Sequence, residues 1–338
     1  MRQAKYYEKI DDGPTVKCTL CPHGCVIKSG RMGICKVRRN DDGVLMSLNY
    51  GKAIALHHDP IEKKPLFHVL PGSITTSIAT VGCNMTCTHC QNHDISQYPV
   101  RFGECPGTHT TPEKVVEQAK AVGASTIAFT YTEPTIFMEW ALDVAQYAVE
   151  NGLRCVSVTN GYVNEKPLRD LAANLLAANV DLKAFDPRFY KMTCGASLDP
   201  VKDTIVLLHE LGVWVEVTTL LIPGLNDQAE QLVAMAEFIA SIDLAIPWHL
   251  SRFHPANQMT DLPATPVDSI QRARNIGQQA GLEFVYSGNV WGHEGENTIC
   301  PGCGKTIIQR HGYSIVTNHL MPGGKCPFCE KLVKGAWA

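Results

Sequence analysis

Cys83, Cys87 and Cys90 lie within the eight-residue stretch CNMTCTHC, at C-x3-C-x2-C spacing. Three thiols so placed can ligate three irons of a cubane [4Fe–4S] cluster, and no fourth cysteine follows at close range. An iron left without a protein ligand is open to a substrate or cofactor, so the loop reads as a site of chemistry rather than of electron storage. A structural zinc site would use thiolates at similar spacing but needs a fourth ligand, for which His89 or His93 is at hand.

Two further cysteine groups flank this loop. Cys300, Cys303, Cys326 and Cys329 form two CxxC knuckles separated by 22 residues. Zinc held by four thiolates is the leading reading there, and rubredoxin-like iron has the same ligand set. Cys18, Cys21, Cys25 and Cys35 are spaced irregularly. They can form a second structural zinc site, carry an auxiliary iron–sulfur cluster, or remain unligated. Cys155, in the apolar run RCVSV, reads as a small buried residue. Cys194 is a loop thiol that could face the active site of a barrel, and Cys105 suggests no role.

The chain has 338 residues, 14 of them cysteine, with 45% hydrophobic and 19% charged residues and a net charge of −3. That suits one large domain with small appendages. There is no basic excess to favour nucleic acid or an anionic membrane. The opening residues MRQAKYYEKIDDG lack a signal-peptide apolar region, and no apolar run approaches a membrane span. The expectation is a cytoplasmic protein whose clustered cysteines bind metal rather than form disulfides.

The elements that must position these residues alternate. Strand-like runs cover 75–81, 125–131, 154–159, 179–185, 213–222, 247–253 and 282–288. Helical patterns open at Thr111-Pro112-Glu113 and cover roughly 134–151, 165–177, 200–211, 228–242 and 266–280. Single helices between strands predict parallel β/α units, and the near-continuous apolar strands suit a sheet covered on both faces. The predicted fold is α/β, a partial (β/α)6-type barrel over residues 71–292. A Cys-rich module (1–70) precedes it, and a zinc-ribbon- or rubredoxin-like module (293–338) follows. A doubly wound open sheet is the alternative, which periodicity does not separate.

In either architecture the site lies at the carboxyl ends of the strands. The cysteine loop follows the first strand, and Thr132 and Glu133 follow the second. Asn160 ends the third; the fourth carries Asp181 and Lys183, two apart and on one face; the sixth carries His249. Each has a plainer reading. Glu133 can be a helix N-terminal acid, Asp181 and Lys183 a satisfied ion pair, Thr159-Asn160-Gly161 a turn, and His249 a core histidine bonded to backbone.

With these residues in view, the chain resembles the radical S-adenosylmethionine (SAM) superfamily. It is most similar to the pyruvate-formate-lyase-activating-enzyme-like group, and within it to the radical SAM enzyme of the AmmeMemoRadiSam system. The motifs are CTLCPHGCVIKSGRMGICKVR, HDPIEKKPLFHVLPGS, TVGCNMTCTHCQNHDIS, TYTEPTIF, TNGY, DLKAFD, LLIPGLND, PWHLSRFHP and CPGCGK…GGKCPFCE. The resemblance implies that Cys83, Cys87 and Cys90 ligate the [4Fe–4S] cluster and that SAM chelates the open iron. TYTEP resembles the family's Gly-Gly-Glu motif, so Glu133 would accept a hydrogen bond from the SAM ammonium, with backbone contacts from Thr132. Asn160, Asp181, Lys183 and His249 would lie near the SAM ribose and carboxylate.

Two departures stand out. His89 occupies a position usually held by an aromatic residue near adenine. Tyr131-Thr132 replaces two glycines, so either those side chains point away from SAM or its methionine end sits differently.

The implied function is reductive cleavage of SAM to methionine and a 5′-deoxyadenosyl radical, which abstracts hydrogen from an unidentified protein or small-molecule substrate. A low-potential donor such as flavodoxin or ferredoxin would supply electrons, and AMMECR1-like and MEMO-like proteins would be partners. The alternatives are a glycyl-radical-enzyme activating enzyme, a degenerate barrel, and a non-catalytic metal-binding adaptor that docks through the basic tail residues Lys305, Arg310, His311 and Lys325. Neither the substrate nor the oligomeric state is legible in the sequence.

Overall fold

The structure is a computed structural model that describes residues 1–10, 12–290 and 292–337. Its centre is an eight-stranded sheet. We number the strands β1 (Ala55–Pro60), β2 (Ile74–Ala79), β3 (Thr126–Phe129), β4 (Arg154–Thr159), β5 (Leu175–Asp181), β6 (Trp214–Leu221), β7 (Trp248–Arg252) and β8 (Val285–Gly288). β1 runs antiparallel to β2, and from β2 to β8 every neighbouring pair is parallel.

The strands lie in strict chain order across the sheet. A doubly wound sheet reverses its order at a switch point. With no reversal, each right-handed crossover winds the same way and the sheet curls into a partial barrel. β8 and β1 form its two edges and do not pair with each other.

Among the described residues, one helix of eight residues or more follows each strand from β2 to β7: α1 (Pro112–Ala121), α2 (Met138–Glu150), α3 (Glu165–Ala172), α4 (Asp199–Glu210), α5 (Ala229–Ile242) and α6 (Val267–Gln279). α1 starts where the sequence predicts. The Thr111 hydroxyl accepts from Lys114 N, Pro112 opens the first turn, and Val115, Val116 and Ala119 form the buried stripe. Gly123 follows at φ +67°, a conformation that costs other residues more. No helix among the described residues is long and apolar enough to cross a membrane.

Two boundaries differ from the sequence reading. The helix predicted over 165–177 ends at Ala172, and Leu175–Ala178 begin β5 instead of joining a helix. Leu-Leu-Ala-Ala favours helix by local propensity; ladder pairing with β4 and β6 overrides it. Residues 55–60, inside the predicted 1–70 module, form the edge strand β1 of the central sheet.

One end of the barrel interior is filled by residues 61–72 and the C-terminal tail. Phe67 N and His68 N donate to Glu216 of β6 at 2.9 and 2.8 Å. Ala336 N donates to His68 O, and Leu70 N to Ala336 O. The C-terminal module has three antiparallel strands, β9 (Thr298–Ile299), β10 (Thr306–His311) and β11 (Ser314–Asn318). Arg310 of this module is buried and donates to Phe67 O and Thr298 Oγ1, with its guanidinium 4.3 Å from the Phe67 ring centre. It is therefore a structural cation and not an exposed docking charge.

Candidate active site

The loop after β2 is held from several sides. Thr86 N and Thr88 N donate to Cys194 O and Thr193 O at 2.9 and 3.0 Å. Gln97 Nε2 donates to Met85 O at 3.0 Å. Gly195 (φ +68°) must remain small, because a Cβ there would lie 2.5 Å from Thr86 Oγ1. Gly82, at φ +107°, meets Val37 of the N-terminal module in the same way.

Donors also reach the sulfurs. Met85 N lies 3.4 Å and Asn160 Nδ2 3.5 Å from Cys83 Sγ, and Ser96 Oγ lies 3.3 Å from Cys90 Sγ. Such bonds orient metal-binding thiolates and tune the centre they hold.

The three thiols open onto a cavity of about 390 Å³ at the carboxyl ends of the strands. Residues from β3 to β7 contribute to its wall, among them Thr132, Asn160, Asp181, Lys183, Thr218 and Ser251. Lys183 Nζ lies 2.8 Å from Asp181 Oδ2, so the predicted pair does form, and both residues line the cavity. Asn160 is fixed by its Nδ2 donating to Asn84 Oδ1 at 2.9 Å and its Oδ1 accepting from Tyr162 N. His89 lies in the wall and is neutral, because burial, reinforced by the Lys183 charge, pushes its pKa down to about 3. His89 Nδ1 and Thr218 Oγ1 are buried with no partner among the described residues. Buried polar atoms are normally answered, so this wall has capacity left for a polar ligand.

Tyr131 takes φ +64°, a backbone conformation suited to glycine. Its hydroxyl turns outward to Asp59, and the Thr132 hydroxyl donates to Thr80 O at 2.8 Å. Both hydroxyls are thus bonded to protein groups, while the two residues themselves still line the cavity.

Two predicted ligand contacts are placed elsewhere. Glu133 is 0% exposed and lies behind the wall. Its Oε1 accepts from Thr135 N, Thr135 Oγ1 and Thr159 Oγ1, and its Oε2 from Asn160 N at 2.8 Å. Burial raises its pKa, and these bonds oppose the rise. It ties the loop after β3 to the end of β4. His249 faces the interior but points at Glu216, at 2.6 Å, instead of the cavity. Its register partner Thr218 lines the cavity. Strands in a barrel tilt, so a row of partners does not stay at one depth.

Several residues gave no clear signal in the sequence. Asn84, inside the cysteine loop, joins Asn160 to Tyr162 O. Ser251, two residues beyond His249, could have been found from strand alternation. Tyr313, from the C-terminal module, reaches the cavity only through tertiary structure. Cys194 is buried against Cys87, within hydrogen-bonding reach of its thiol. Cys155 is fully buried, as expected.

The other cysteine groups differ from each other. In the C-terminal quartet Cys300 Sγ lies 3.6 Å from Cys329 Sγ, and Cys303 Sγ 3.8 Å from Cys326 Sγ. Four sulfurs tetrahedrally placed at about 2.3 Å from one ion would be about 3.8 Å apart, so this set is ready for a single metal ion. Cys18, Cys21, Cys25 and Cys35 line one small cavity without closing to that spacing.

Residues 77–239 match the family model of the radical SAM superfamily. The chain is 44% identical over 335 residues to an uncharacterized protein of Methanocaldococcus jannaschii, covering 98% of this chain and 99% of that one. It is 23% identical over 188 residues to the pyruvate formate-lyase-activating enzyme of Staphylococcus epidermidis, covering 52% of this chain and 72% of that enzyme. In fold it is similar to a radical SAM methyltransferase from Sphaerobacter thermophilus, with a TM-score of 0.50 and 16% identity over 84% of this chain and 75% of that one. It is likewise similar to Streptococcus suis SuiB bound to S-adenosylmethionine, with a TM-score of 0.51 and 13% identity over 67% of this chain and 52% of that one.

Proposed function

The chain belongs to the radical SAM superfamily, and on that premise we propose that its cavity binds a [4Fe–4S] cluster and SAM and initiates radical chemistry. The observation that carries this reading is that Cys83, Cys87 and Cys90 open together onto a roomy, polar cavity at the strand ends. When bound, the cluster supplies the electron that splits SAM into methionine and a 5′-deoxyadenosyl radical, which takes a hydrogen atom from the substrate.

The chain's own residues prepare that site. The three thiols would hold three irons. Burial lowers the Lys183 pKa, but Asp181, Cys87 and Cys194 outweigh it and hold the ammonium well above its ordinary range. Asp181 and Lys183 therefore present opposite charges side by side, suited to the zwitterionic amino-acid end of SAM. The neutral His89 ring offers a flat uncharged surface at the family's aromatic position. Glu133 acts as a positioning residue for the 130–132 loop and for Asn160.

Protein loaded anaerobically with iron and sulfide, then given SAM and dithionite, should yield 5′-deoxyadenosine. Cys87→Ala should reduce the yield to background. Equal yields from the two proteins would refute the reading.

Assignment to the AmmeMemoRadiSam group, with AMMECR1-like and MEMO-like partners and a flavodoxin- or ferredoxin-type donor, rests on the ordered motifs. We read the C-terminal quartet as a zinc site, supported by its sulfur spacing. A glycyl-radical activating role is the second reading. The unpaired edges β8 and β1 favour it, since an open barrel can admit a protein backbone. A candidate partner that gains no glycyl-radical electron paramagnetic resonance (EPR) signal in the same mixture would count against it.

A further inference from the structure

Cys18, Cys21, Cys25 and Cys35 line one cavity. Each of Cys21 and Cys35 is close enough to two others of the quartet to feel their charge: Cys18 and Cys35 for Cys21, Cys18 and Cys25 for Cys35. Among the described residues, the C-terminal quartet is the one group whose ligand atoms all lie within 4.8 Å of one another. Neither the N-terminal thiols nor Cys83, Cys87 and Cys90 form such a close-set group. A single tetrahedral ion draws four sulfurs to about 3.8 Å apart. A four-iron cubane places a metal–sulfide cage between its ligands and holds them farther apart.

A second, independent observation concerns Arg38. It lines the same cavity, is 1% exposed, and pairs with Glu139 through Nη1 and Nη2 at 2.7 and 2.6 Å. Its Nε is buried and has no partner among the described residues. An unanswered donor beside four thiols suits a negatively charged group whose bridging sulfides accept hydrogen bonds.

The cavity also adjoins the loop of the first cluster site. Asn84 lines it, next in sequence to Cys83, and its backbone oxygen lies 2.7 Å from His23 Nε2.

We propose that Cys18, Cys21, Cys25 and Cys35 hold a second four-iron cluster, separated from the Cys83 site by Asn84, and not a zinc ion. The assignment does not depend on SAM turnover, and a wild-type protein that failed to cleave SAM would leave its test intact.

The test counts iron, acid-labile sulfide and zinc in the full chain after anaerobic reconstitution with ferrous iron and sulfide. Wild type should hold about eight cluster irons, and the Cys83→Ala/Cys87→Ala/Cys90→Ala protein about four with equal sulfide. The cluster left in that variant should give a reduced EPR signal that SAM does not change. Adding Cys21→Ser and Cys25→Ser should remove it while the C-terminal site keeps its metal, which reports that the chain is still folded. Two outcomes would overturn the proposal. One is a triad variant without acid-labile sulfide. The other is wild-type protein with two zinc ions per chain, one of them lost with Cys21→Ser/Cys25→Ser.

Discussion

The two ends of the barrel interior are built from the same strands but treat their polar groups differently. On β6, Glu216, Thr218 and Leu220 alternate inward along one face. Glu216 lies at the filled end, where Phe67 N, His68 N, Trp214 Nε1 and His249 all meet its carboxylate. His68 in turn sits between Tyr286 OH and Lys334 O, at 2.7 and 2.8 Å. Thr218 and Leu220, nearer the carboxyl end, line the cavity, and the Thr218 hydroxyl has no partner among the described residues. One strand therefore provides a saturated network at one depth and unspent hydrogen-bonding capacity two residues later. In barrels the first arrangement serves stability and the second serves chemistry.

The division predicts that substitutions at the two ends have opposite signatures. The largest effect should come from Glu216→Ala, which leaves two buried N–H groups and His249 unanswered. The expected cost is about 3–5 kcal/mol, and the melting temperature should fall by about 10 °C. An unchanged melt would mean that the filled end does not carry the stability assigned to it.

Lys183→Met should leave the melt nearly unchanged and slow SAM cleavage about 10- to 100-fold, the size of one lost charge-assisted contact. Loss of stability with undiminished turnover would reverse the roles of the two ends.

The smallest effect is a pH dependence centred on His68. Burial is the main cause that pushes its pKa down to about 4, from an ordinary value near 6.5. The unfolded chain then binds the extra proton first. The His68 contribution is fully present above about pH 6.5 and is lost as pH falls toward 4. Denaturant melts at stepped pH should show that slope, and His68→Phe should flatten it. A slope unaffected by the substitution would assign it to another group.

Much of the site was legible because its signals are local. The Cys83–Cys90 spacing and the CxxC knuckles each place their ligands within a few bonds of chain. The strand–helix alternation came from apolar patterning, and α1 from its Thr-Pro start and Gly stop. Asp181 and Lys183 could be paired from their two-residue spacing alone. Less visible were effects of depth and direction. Glu133 follows a strand end like the cavity residues, yet its carboxylate turns inward to Thr135, Thr159 and Asn160. His249 has the expected face and the wrong depth. Leu175–Ala178 carry a helix propensity that the sheet overrides.

The sequence by itself determined which groups are available: three thiols in one loop, two outlying quartets, and polar residues at the strand ends. Those depend on covalent spacing and local periodicity, which hold whatever the distant chain does. Only the tertiary structure decided that the sheet curls without reversing, that Cys194 lies against Cys87, and that the C-terminal quartet closes to single-ion spacing while the N-terminal one does not. Each of these follows from pairing and packing between residues far apart in the chain. Register, strand tilt and the space left between side chains set their distances, and no local pattern encodes those.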